Sequence, residues 1–199
     1  AGLGRVVDAG AHGQQFHQAL GGAGRALGLA HDLGQRAGRA GVAALGQARL
    51  GAALQATEHI PMGSFHAPGQ RYHPAIIAQK AATLQILADG RFTLGLGSGE
   101  NLNEHVVGEG WPSVADRQDM LAEAIEIIRK LHTGELVDFR GEFFQVDAAR
   151  IWDLPDQPVP IGVAVAGNAG IETFGPLADH LIAVEPDADF IKAWNEHSS

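Results

Sequence analysis

Apolar positions recur at helical spacing in two stretches of the chain. Ile76, Ile77, Ala81, Leu84 and Leu87 or Ala88 form one stripe; Met120, Leu121, Ala124, Ile125, Ile128 and Leu131 form the other. His73-Pro74 opens the first helix, with proline where the N–H would lack a partner anyway, and Asp89-Gly90 ends it. The second opens on Ser113-Val-Ala-Asp116, a capping box with Asp in the Glu/Gln position. Lys130, His132 and Gly134 close it as the helix dipole and C-terminal preferences require. Both helices read as scaffold. Residues 51–58 read as a helix end, and 187–195 as a last helix.

Between the helices lie short apolar runs. Residues 59–65, 159–167 and 179–186 read as buried strands, and 137–146 alternates around Arg140-Gly141 as a small hairpin. Residues 149–160 form a loop punctuated by proline. Strand and helix alternate, which predicts αβ units around a parallel sheet.

The most informative strand is Arg91-Phe-Thr-Leu-Gly-Leu-Gly-Ser-Gly-Glu100. Phe92, Leu94 and Leu96 alternate with Gly95, Gly97 and Gly99 across its end. Glycine weakens a strand interior, so three together predict a bulge or a close approach of backbone or ligand. Glu100 is the first ionisable group beyond them. A carboxyl half-buried against a flat cofactor is placed to donate or accept a proton near neutral pH. A plain strand end with a solvated glutamate fits the same pattern.

Composition narrows the picture. The 199 residues suit one domain with a sizeable core. There is no cysteine, which excludes disulfides and thiolate chemistry. A formal charge of −9 argues against nucleic acid or an anionic membrane as partner. No apolar run reaches transmembrane length and no signal pattern opens the chain, so a cytoplasmic protein is expected. No metal site is expected. Residues 1–50 differ from the rest: rich in Gly and Ala, without Lys or Glu, and with apolar residues only singly or in pairs such as Val6-Val7. They read as an out-of-frame, fused or divergent segment, or as a flexible leader, poorly ordered or loosely helical. Residues 51–199 form the second unit.

The run Gly95-Leu-Gly-Ser-Gly-Glu-Asn-Leu-Asn-Glu-His105 resembles the bacterial luciferase-like superfamily, and within it the deazaflavin (coenzyme F420)-dependent glucose-6-phosphate dehydrogenase-like group. The likeness continues in Arg71-Tyr-His-Pro-Ala-Ile-Ile-Ala-Gln79, in Trp111-Pro112, in the helix to His132 with Thr133-Gly134, and in Ala149-Arg-Ile-Trp-Asp-Leu-Pro155. The fold this implies is α/β, a partial (β/α)8 barrel. At this length it would lack its last strands and helices and, given residues 1–50, its first strands. The Ser-Asp-His motif usual in such proteins is missing; His31-Asp32 reverses its order.

The resemblance also implies a site. Glu100 would be the catalytic acid–base. Ser64 and Phe65, at a strained non-prolyl cis peptide, would contact the cofactor, as would Gly97, Ser98, Gly99 and Asn103 and the loop Ala166, Gly167 and Asn168. The cofactor implied is F420, with FMN as the alternative, alongside a small-molecule substrate; a homodimer is left open. Arg71, Tyr72 and His73 could reach a ligand, though His73 also suits a helix start. Trp111 could wall the pocket or only pack, and Glu104 and His105 could only finish the turn. Relatives tend to have Gly-Asp-Gly where this chain has Ala178-Asp179-His180. Three readings remain: a deazaflavin-dependent oxidoreductase, an FMN-dependent luciferase-like monooxygenase, and a family member that keeps the fold without the activity.

Overall fold

The computed structural model describes residues 7–8, 44–183 and 187–198. Five strands form a parallel sheet: β1 (Val7–Asp8), β2 (Met62–His66), β3 (Phe92–Leu96), β6 (Ile161–Ala164) and β7 (His180–Ala183), in the spatial order β1-β7-β6-β3-β2. The hairpin β4 (Val137–Arg140) and β5 (Gln145–Ala149) stands apart as a two-stranded antiparallel sheet. The helices are α1 (Ala44–Gln55), α2 (Pro74–Ala88), α3 (Asn101–Glu104), α4 (Val114–Leu131), α5 (Asn168–Phe174) and α6 (Ala188–His197), with a 3-10 turn at His105–Val107. No pairing joins β1 to β2 among the described residues, so the sheet is an open arc.

The two faces of the arc differ. Phe92, Leu94, Leu96, Ile161, Val163 and Leu181 are buried in the core, and α2 packs on both β3 and α4. The opposite face carries small residues. A Cβ built on Gly63 would lie nearest Thr93, one on Gly95 would meet Phe65, one on Gly97 would meet Ala164, and one on Gly162 would meet Ile182 and His180. These pairs place all nine residues on one side of the sheet, where the side chains of successive residues alternate.

The predicted elements form, with shifted ends. His73 caps α2 by accepting from the Ala75 N–H at 3.2 Å, and Asp89 takes the left-handed conformation at its C-terminal end. Within α2 the stripe narrows to Ile77, Ala81, Leu84 and Ala88; Ile76 and Leu87 are exposed, because α2 buries one side only. The capping box of Ser113 and Asp116 is present at α4. Asp187 caps α6 through the N–H groups of Asp189 and Phe190.

Two expectations need correction. The strand at 59–65 is not buried throughout: β2 is the edge of the described sheet, and Phe65 is 57% exposed. Of the two alternatives for the glycine strand, the close backbone approach holds at Gly95 and no bulge forms, since the register with β2 and β6 is regular. No described peptide bond is cis, so Ser64 and Phe65 join by a trans bond. Helix α1 starts at Ala44, and Val7–Asp8 pairs in parallel with β7, a contact that local sequence does not encode. His31 and Asp32 lie outside the described residues, as do residues 184–186 at the predicted strand end.

Three polar side chains lock the layers together. Gln85, only 1% exposed, accepts from the Phe92 N–H at 3.0 Å and donates to the Pro158 carbonyl at 2.9 Å. Arg91 donates to the carbonyls of Leu54, Thr57 and Ile60, so the end of α1 and the turn after it are satisfied by the residue that precedes β3. Asp179 accepts from the Ile161 N–H at 2.7 Å and pairs with Arg129 of α4 at 2.7 Å. None of these links shows in periodicity, because each is a polar contact between different elements.

Candidate active site at the strand C-termini

The glycine loop leaves β3 at its C-terminal end, and the β6–α5 loop leaves the neighbouring strand at the same end. The Gly97 N–H donates to the His66 carbonyl at 3.0 Å, which extends the ladder one residue past β3. Gly99 takes φ +80°, and a Cβ there would lie 2.8 Å from the Cβ of Ala67 and 3.4 Å from both Trp111 and the Glu104 stem. Glycine is required at that position for conformation and for space.

Bare backbone is open at three places on this rim. A Cβ on Gly97 would find only the Ala164 Cβ, at 3.5 Å; one on Gly167 would find nothing within 4 Å; and Ala164 itself is exposed. Gly95 is different. The Phe65 ring already covers it, within 3.0 Å of where its Cβ would stand. Phe65 is therefore an exposed aromatic on the small-residue face, beside the glycine loop.

Ser64 falls elsewhere. It alternates with Phe65, so its side chain lies on the helix side of β2, where Oγ is buried without a hydrogen-bond partner. Only its backbone carbonyl approaches the glycine strand. His66 lies on the same helix side, with its ring edge-on to Tyr72 at 6.4 Å. Lys80 sits over the Tyr72 ring at 3.8 Å. Burial, and then the charge of Lys80, pushes the His66 imidazole down to about 4. Sequence patterning gave His66 no role.

Glu100 is exposed, as in the alternative of a solvated glutamate at the strand end: it stands at the N-terminal end of α3, where the chain projects from the rim. Its carboxylate accepts from the Asn103 side-chain amide at 3.3 Å. The site thus brings Glu100 and Asn103 together beside Gly97, Ser98 and Gly99. Ala166 and Asn168 are exposed on the β6–α5 loop, with Gly167 immediately before α5. Trp111 packs against Gly99 and carries the Arg117 guanidinium on its ring, so it serves packing. His180 lies further down the small-residue face, against Gly162, with Nδ1 buried and unpaired.

A pairing that sequence reasoning missed stands behind the loop. Arg71 Nε meets Glu104 Oε2 at 2.6 Å, with the two side chains 14% and 13% exposed. Arg71 also donates to the Asn103 carbonyl. The one signal for this pair was an unmatched arginine and glutamate in adjoining loops.

Residues 47–198 match the profile of the family described as luciferase-like monooxygenase. The chain belongs to that family. Among curated relatives of this luciferase-like protein is an F420-dependent glucose-6-phosphate dehydrogenase of Nakamurella multipartita, 41% identical over 140 residues. The match covers 70% of this chain and 41% of that one. An F420-dependent hydroxymycolic acid dehydrogenase of Mycobacterium tuberculosis is 42% identical over 125 residues, covering 63% of this chain and 35% of the relative. A solved F420-dependent secondary alcohol dehydrogenase, in complex with an F420-acetone adduct, superposes with a TM-score of 0.71 at 37% identity. That superposition covers 76% of this chain and 48% of the other. The luciferase-like chain thus spans less than half the length of each of these relatives. Its α/β arc is part of a TIM-type barrel, as the resemblance implied, and no closed barrel forms among the described residues.

Proposed function

We propose that this chain is part of a coenzyme F420-dependent oxidoreductase that moves a hydride between C5 of the deazaflavin and an alcohol or carbonyl substrate. One observation carries the reading: Gly97 and Gly167, with the small exposed Ala164 against Gly97, leave backbone open at the end of a parallel sheet from which the loop to Glu100 departs. The family relationship, and the F420-dependent relatives at 41% and 42% identity, give that rim its chemistry.

The residues present fit a flat ring. Side chains at Gly97 or Gly167 would fill the space that such a ring needs, and none is there. Gly97, Ser98 and Gly99 would hold it from the β3 side, and Ala166, Gly167 and Asn168 from the β6 side. Phe65 would flank it, while Ser64 would contribute through its backbone alone. When bound, the deazaflavin supplies hydride exchange at C5. Glu100 would hold or move a proton at the ring's pyrimidine side or at the substrate oxygen, with Asn103 orienting its carboxylate. The protein's share is orientation, exclusion of water and proton placement.

Glucose 6-phosphate is not part of the proposal. Two rim cations already have partners: Arg71 holds Glu104, and Arg117 donates to the Pro112 carbonyl.

Titration with F420 and with FMN, followed by fluorescence quenching, tests the reading. Saturable F420 binding without FMN binding is the expected result. FMN binding without F420 binding would assign luciferase-like flavin chemistry instead, and binding of neither would leave a chain with the fold alone.

A further inference from the structure

We propose that Arg71 and Glu104 form a positioning brace that sets the glycine loop, with Asn103 and Glu100, in the geometry the cofactor site requires. The inference rests on the F420 reading above for its function, but not for its structure.

The brace joins two loops at one end of the sheet. Arg71 belongs to the turn between β2 and α2, and Glu104 ends α3 directly after the glycine loop. Their ion pair, at 2.6 Å, is a contact of charges in which the Nε–H makes no hydrogen bond, and it is largely withdrawn from solvent at 14% and 13% exposure. An exposed pair would contribute little, because water screens it and side-chain entropy opposes it. A buried pair behaves differently: removing one partner strands the other charge. Arg71 spends a second donor on the Asn103 carbonyl. The Asn103 side chain in turn donates to Glu100 at 3.3 Å. One guanidinium thus fixes Glu104 directly and Glu100 through Asn103. The Glu104 stem also lies against Gly99, which has the left-handed conformation at φ +80°.

The other end of the brace is anchored as well. Tyr72, next to Arg71, is held edge-on by His66 and covered by Lys80, and its carbonyl accepts from the Gly69 N–H at 3.0 Å. Arg71 therefore projects from a fixed turn toward a loop whose α3 is one turn long and has no buried residue of its own. Without the brace, little else among the described contacts holds that turn against the sheet.

The experiment compares wild type with Arg71→Ala, Arg71→Lys and Glu104→Gln. Two quantities are read: amide hydrogen exchange along the chain in the free protein, and F420 affinity by fluorescence quenching. Arg71→Ala and Glu104→Gln should speed exchange selectively across residues 97–104 and weaken F420 binding about tenfold or more, as expected when contact groups are misplaced. Arg71→Lys keeps the charge but loses the two-point hold, so it should recover part of both. Unchanged exchange and affinity in Arg71→Ala and Glu104→Gln would overturn the brace. So would faster exchange spread evenly over the whole sheet, which marks general destabilisation. If Arg71→Ala fails to fold, Glu104→Gln decides by the same two readouts. If wild type itself binds no F420, the functional reading fails, and the exchange pattern alone decides the brace.

Discussion

A Cβ on Gly95 would stand 2.6 Å from the carbonyl oxygen of Ser64 across the β2–β3 ladder. Backbone cannot move aside as a side-chain tip can, so the glycine is required by the closeness of two strands. Gly95→Ala should therefore push β2 from β3 and displace the Phe65 ring, whose edge lies within 3.0 Å of the same point. Overpacking of this kind typically costs about 1–3 kcal/mol. Urea denaturation should show the loss as a lower midpoint. Gly167→Ala, with nothing within 4 Å and an extended backbone, should leave stability nearly unchanged.

Gln85 offers a second test, because it is a buried amide with both ends in use. Gln85→Leu keeps the volume but strands the Phe92 N–H and the Pro158 carbonyl. Each buried group left unpaired costs about 1–3 kcal/mol. The expected outcome is a markedly lower unfolding free energy. Fast amide exchange should appear at Phe92, where β3 begins. A variant as stable as wild type would show that water replaces both bonds.

How much of this could be read in advance differs by level. The stripe of α4 and the capping box of Ser113 and Asp116 were legible, because helix period and cap chemistry are local. The close approach of backbone at the end of β3 was legible from Gly95, Gly97 and Gly99, since glycine at alternate places in a strand has few causes. The fate of Phe65 was not. Its exposure depends on β2 lying at the edge of the described sheet, which no local pattern records. Nor could Ser64 be assigned a face before its register with Leu94 was known. Arg71 and Glu104 were visible as residues, but their pairing spans a whole helix and strand. The exposure of Glu100 had the same origin: only the course of α3 decides whether a loop carboxylate is covered.

His66 makes stability depend on pH. Its folded value, pushed down to about 4 by burial and by Lys80, lies below the ordinary 6.5. Between those values the unfolded chain binds more protons than the folded one, so stability rises with pH through this window. The contribution is complete above about 6.5 and is lost as pH falls toward 4. His132 acts in the same direction: it is lowered chiefly by burial, with Arg129 adding to the effect and its bond to the Ala78 carbonyl opposing it. Unfolding free energies measured from pH 4 to pH 7 should fall steadily on acidification. His66→Gln should flatten that slope without abolishing it, since His132 and the carboxylates remain. An identical slope in the variant would remove His66 from the account.

Glu100 is where the proposed chemistry can be separated from binding. Its carboxylate touches only the Asn103 amide among the described polar contacts, so Glu100→Gln removes a charge and a proton site while leaving a partner for that amide. If Glu100 handles a proton in the hydride-transfer step, turnover should fall by about 10²–10⁴, the range for loss of a general acid or base. F420 affinity should change far less, because Gly97, Ala164 and Gly167 offer their backbone to the ring whatever stands at 100. Asn103→Ala separates the two roles further. It leaves the carboxylate in place but unoriented, so it should reduce turnover less than Glu100→Gln does. The checks are steady-state turnover with a panel of secondary alcohols and F420 titration of each variant. Turnover preserved in Glu100→Gln would assign the proton to another group and leave Glu100 as a solvated cap of α3.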